Sequence, residues 1–137
     1  MTCNLFKNPQ TLKITARILM VIYLGIVALI CFSAISTPKV NHLSLWGIPG
    51  DKIVHFLMFL PFPVLAWGSF PPKDGIPAWK VFLYVLAIFI TGTLIGATTE
   101  LVQDFLPNRC RELADVIADS CGIGTSCLAL LIWRWLK

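Results

Sequence analysis

Nine polar or charged residues stand in or beside the long apolar runs of this chain: Asp51, Lys52, His55, Glu100, Gln103, Asp104, Arg109, Asp115 and Asp119. Asp51 and His55 lie four apart, Glu100 and Gln103 three apart, and Asp115 and Asp119 four apart, so each pair shares one face of a helix. Arg109, Lys52 and a protonated His55 are cationic donors suited to phosphate, the arginine through its planar fork. The acids Glu100, Asp115 and Asp119 suit general acid–base work, or the ligation of a hard divalent cation that bridges to a phosphate. Candidate catalytic groups are Glu100, Asp115 and His55. The candidate ligand-binding set is Asp51, Lys52, His55, Glu100, Gln103, Arg109, Asp115 and Asp119. No GxSxG motif and no Ser or Cys at a recognisable elbow accompanies them. One His with carboxylates at several helix ends is not a diagnostic metal-ligand spacing, so no metal and no cofactor is predicted. A plainer reading stays open, in which the same groups pair to lock helix ends together, because an unpaired charge near lipid is costly.

The elements that must position these residues follow from composition. Of 137 residues, 57% are hydrophobic and 13% charged, whereas a soluble domain carries about a quarter charged residues. The apolar residues form long runs rather than amphipathic stripes. About 20 apolar helical residues cross the hydrocarbon of a bilayer, and four segments approach that length, over residues 14–35, 53–70, 79–101 and 113–135. The expected fold is an all-α integral membrane protein, a single domain over 1–137, in which four transmembrane helices are joined by short loops. Pro61 and Pro63 fall within the second span, where neighbouring helices can satisfy the carbonyls they free. The first apolar run exceeds the 7 to 15 residues of a signal-peptide core and is read as a retained helix.

Orientation follows from Lys and Arg in the connections. The N-terminal tail, middle loop and C-terminal end hold seven (Lys7, Lys13, Arg17, Lys73, Lys80, Arg134, Lys137), and the first and third loops hold four (Lys39, Lys52, Arg109, Arg111). Both termini are thus expected in the cytoplasm, and the polar residues at the extracytoplasmic face. Net charge is +4 without a long basic block, which argues against nucleic-acid binding. The five scattered cysteines, with no CxxC, suggest neither a disulfide framework nor a zinc site. Gly92 and Gly96 form a GxxxG, and Ala118 and Gly122 repeat the small-residue spacing, which predicts that the third and fourth spans are neighbours.

Taken in order, Asp51-Lys52-x-x-His55-Phe56, Glu100-x-x-Gln103-x-Phe105-x-Pro107-x-Arg109 and Asp115-x-x-x-Asp119-x-x-Gly122 resemble the VanZ-like membrane protein family over the last three helices. That family is named for an accessory protein of glycopeptide-resistance clusters that lowers susceptibility to teicoplanin, and the name carries no settled reaction. Two positions depart from its pattern: Asn108 stands where the family usually has Gly, and Asp119 where it usually has Asn. The resemblance implies a bacterial cell-envelope protein, multi-pass in the cytoplasmic membrane. The expected function is binding of a phosphorylated lipid or lipid-linked glycan, such as a cell-wall precursor. The alternatives are a membrane-embedded hydrolase or transferase acting on a lipid phosphate, and a structural subunit.

Overall fold

The computed structural model describes residues 8–32, 44–45, 47–105 and 112–136. Five helices make up four spans: α1 (Pro9–Phe32), α2 (Gly50–Phe59) with α3 (Phe62–Ser69), α4 (Ala78–Gln103) and α5 (Leu113–Trp135). Each span is long and apolar enough to cross a membrane. Most of the apolar surface points outward; of the 24 residues in α1, only Val27 and Cys31 are buried. A soluble protein would not leave so much contiguous apolar surface uncovered.

The all-α expectation gains one addition. Ser44–Leu45 and Ile48–Pro49 pair antiparallel just before α2, with Gly47 at φ +80° in the turn, a backbone region open to glycine at no steric cost.

The first helix starts at Pro9, five residues before its expected start at residue 14. Asn8 Oδ1 accepts the N–H of Gln10 at 3.0 Å, so an Asn cap followed by proline in the first helical position fixes that end. The second span begins at Gly50 and is not one helix: it breaks between Phe59 and Phe62, because Pro61 and Pro63 lack the N–H groups that would carry the ladder onward. Hydroxyls of neighbouring helices reach the carbonyls at the break. Tyr23 Oη donates to Met58 O at 2.8 Å and Ser126 Oγ to Leu60 O at 2.5 Å. The third span runs over 78–103, slightly longer than expected, and the fourth over 113–135 as expected.

The spans run up, down, up, down. Gln103 near the end of α4 bonds the Cys31 carbonyl near the end of α1, and His55 of α2 meets Asp119 of α5. At the other end Arg17 of α1 reaches Ser69 at the end of α3. Between these ends lies a core of Val27, Phe59, Phe62, Val85, Ile88 and Ile123.

Glycines set the spacing. A Cβ on Gly92 would stand 2.8 Å from the Phe62 ring and 2.9 Å from Ile123, so α4 packs close on α3 and α5. The expected adjacency of the third and fourth spans holds on the α4 side. Gly122, however, faces α2: a Cβ there would overlap the Phe56 carbonyl oxygen.

Candidate functional site

The starts of α2 and α5 and the end of α4 meet at one end of the bundle. Asp51 and Asp115 lie in the first turns of α2 and α5, where the N-terminal helix dipole favours a negative side chain. Lys52 sits between them. Its Nζ is 2.8 Å from Asp51 Oδ2 and 2.5 Å from Glu112 Oε2, and it also donates to Asp115 Oδ1. Three carboxylates therefore hold one ammonium.

One turn deeper, His55 Nδ1 lies 3.0 Å from Asp119 Oδ1. With Asp119 ionised, its carboxylate only accepts and Nδ1 carries the hydrogen. The other ring nitrogen, Nε2, faces Asp115 Oδ2 at 3.8 Å, too far for a hydrogen bond. Asp119 is fully buried against Gly96, where a Cβ would stand 2.8 Å from Asp119 Oδ2. The GxxxG of α4 thus makes room for a carboxylate as well as for a helix.

Glu100 enters from α4 and is 1% exposed. Its Oε2 accepts the backbone N–H of Glu112 at 3.3 Å, while Oε1 is buried with no hydrogen-bond partner. Asp51 Oδ1 and Asp119 Oδ2 are buried and unpartnered as well. Buried acceptors of this kind are rare in folded proteins, and each asks for an explanation.

Two sets of three potential ligand groups share Asp115. Asp51, Glu112 and Asp115 form one, and His55, Glu100 and Asp115 the other, with the donor atoms in each within 4.8 Å of one another. At that separation two carboxylates repel by roughly 3–4 kcal/mol for an effective dielectric of about 20. The cluster holds the carboxylates of Asp51, Glu100, Glu112, Asp115 and Asp119 around Lys52 and His55, so its balance is acidic.

Of the residues expected in the site, Asp51, Lys52, His55, Glu100, Asp115 and Asp119 come together. Gln103 does not join them: its amide donates to Cys31 O at 3.0 Å and ties α4 to α1. Asp104 ends α4 at the surface. Arg109, a candidate donor to phosphate, lies outside the described residues. Glu112 was not among the expected residues, yet it holds Lys52 through its side chain and Glu100 through its main chain. The available signal was its place as an acid immediately before the fourth span, where the N-terminal end of a helix favours negative charge. Compared with protein-family models, with curated proteins and with solved structures, the chain matches none of them.

Proposed function

We propose that this chain is a multi-pass protein of the bacterial cytoplasmic membrane, VanZ-like in kind, whose polar end faces outward and binds the headgroup of a phosphorylated lipid or lipid-linked glycan. Glu100 carries the reading: a carboxylate 1% exposed keeps Oε1 unpartnered inside a polar cluster at a bundle end. A cluster that served only to join helices would be expected to close on itself. An open acceptor awaits a donor or a cation brought by something else. The phosphate falls to Arg109, six residues before Asp115, and to Lys52 at the rim. A changed surface lipid or glycan is also the route by which such a protein would lower teicoplanin susceptibility.

The structural lock is the second reading, and Lys52 favours it, since that side chain joins the start of α2 to Glu112 and Asp115. A ligand that binds only the folded form raises its melting temperature. Full-length protein in nanodiscs is therefore melted with polyprenyl phosphate, with a lipid-linked sugar and with unphosphorylated polyprenol. A rise with the phosphorylated lipids alone, lost in Arg109→Gln without a fall in the ligand-free melting point, is the expected result. No rise in wild type, with Arg109→Gln melting much earlier, leaves the lock. Orientation is checked on spheroplasts: an impermeant thiol reagent labels Cys110 and not Cys3, and the reverse pattern would turn the site toward the cytoplasm.

A further inference from the structure

The two ligand sets that share Asp115 differ in one respect. Between Asp51, Glu112 and Asp115 stands the Lys52 ammonium, bonded to all three. Among the described residues no lysine or arginine pairs with Glu100, and Lys52 touches the set of His55, Glu100 and Asp115 only through Asp115 Oδ1. We propose that these three side chains form a binding site for one first-row divalent cation of the Zn2+ type, with a coordination position left open for an exogenous oxygen.

Three independent features support the site. The first is distance. His55 Nε2 and Asp115 Oδ2 are 3.8 Å apart. Zinc bonds to nitrogen and oxygen of about 2.0–2.2 Å in tetrahedral geometry set neighbouring ligand atoms about 3.4 Å apart, so a few tenths of an ångström of closure suffices for this pair. The second is the histidine's other nitrogen. Metal-bound His commonly donates its remaining ring N–H to a carboxylate, which fixes the tautomer and the ring. His55 Nδ1 meets the fully buried Asp119 in that way, which points Nε2 toward Asp115 Oδ2. When Nε2 is unprotonated, these two atoms are acceptors that one cation can bridge in place of the proton. The third is Glu100, whose Oε1 is buried and unpartnered while its other oxygen is held by the Glu112 N–H. Lys52 neutralises the outer oxygen of Asp115 and leaves Oδ2 turned inward.

The site does not rest on lipid binding and stands if no lipid binds. If both hold, the cation supplies the positive charge that a headgroup phosphate would otherwise lack among these acids. The rival occupant is Arg109, whose guanidinium could fill the same place from the loop.

The test uses the full-length protein in detergent, stripped with EDTA and dialysed against micromolar Zn2+, then against Co2+ as an absorbing probe. One metal per chain is expected, with Co2+ d–d bands of four- or five-coordinate geometry. His55→Gln, Glu100→Gln and Asp115→Asn should each abolish uptake. Asp119→Asn should weaken it about 10- to 100-fold, as loss of a carboxylate behind a metal-bound His does elsewhere. Arg109→Gln should retain it. Wild type that takes up no metal overturns the proposal whatever the variants do, and so does uptake unchanged in folded His55→Gln and Glu100→Gln. Should those variants fail to fold, the wild-type stoichiometry and Co2+ spectrum decide. Melting with polyprenyl phosphate, repeated in EDTA, separates the two readings. Metal uptake without a lipid response sinks lipid binding alone, and an equal lipid response in EDTA, with no metal uptake, sinks the metal alone.

Discussion

Arg17 and Lys52 stand at opposite ends of the bundle, and their surroundings differ. Arg17 Nε donates to the Ser69 carbonyl at 3.1 Å and its guanidinium lies 5.2 Å from the centre of the Phe70 ring. Tyr84 Oη donates to the next carbonyl, Phe70 O. Donors there meet main-chain oxygens at the end of α3, with no acid involved among the described residues. Lys52 meets three carboxylates, and behind it stand further acids with unpartnered oxygens. One end uses side-chain donors to finish a helix. The other gathers acceptors beyond what its own donors can satisfy, which is how a site differs from a seam.

Substitutions can break that contrast, and the largest effect belongs to Lys52→Met. It leaves Asp51, Glu112 and Asp115 without their cation, and removal of one partner from a largely buried pair costs about 3–5 kcal/mol. Reversible unfolding by SDS titration measures it; a loss no larger than that of Arg17→Met would make the two ends alike. Next is Gly122→Ala. Its Cβ would meet the main-chain oxygen of Phe56, which cannot rotate away, so α2 and α5 must separate at a cost of about 1–3 kcal/mol. The same titration reads that cost.

Glu100→Gln should act in the opposite direction. In metal-free protein it removes one charge from an acid-rich cluster and offers an amide donor to neighbouring carboxylates, a gain of about 1 kcal/mol of the kind seen when functional residues are replaced. A clear loss of stability in EDTA would assign Glu100 to the scaffold. The smallest change is expected for Arg17→Met, about 0.5–1 kcal/mol, the net worth of an ordinary hydrogen bond. It should be insensitive to added Zn2+, whereas Glu100→Gln should abolish any stabilisation by Zn2+ seen in wild type.

Much of this architecture could be read from residue spacing. Asp115 and Asp119, four apart, do share a face of α5, and both meet His55 of α2. Helical periodicity is a local property, so pairs within one helix are visible in sequence. What was hidden depends on partners from elsewhere. Gln103 shares a helical face with Glu100 in sequence, yet a carbonyl of α1 takes its amide. Gly122 suits a small-residue contact, but only three-dimensional packing decides that its neighbour is α2. Glu112 precedes α5, and its partners, Lys52 and Glu100, stand 60 and 12 positions away. The break in the second span was foreshadowed by Pro61 and Pro63. Whether they bend a helix or end it depends on the hydroxyls of Tyr23 and Ser126, which come from other spans. The ligand set of His55, Glu100 and Asp115 draws one residue from each of three helices, so no linear spacing could announce it.

Asp115 belongs to both three-residue sets, one oxygen on Lys52 and the other toward His55. Two sites that share a charged group are thermodynamically linked. An anion at the rim that drew Lys52 away would return negative charge to the inner oxygen and tighten the hold on a cation there. Linkage is reciprocal, so a cation bound inside would loosen Lys52 and raise the affinity for that anion by the same factor. A single carboxylate would then make the two events cooperative without any movement of a helix.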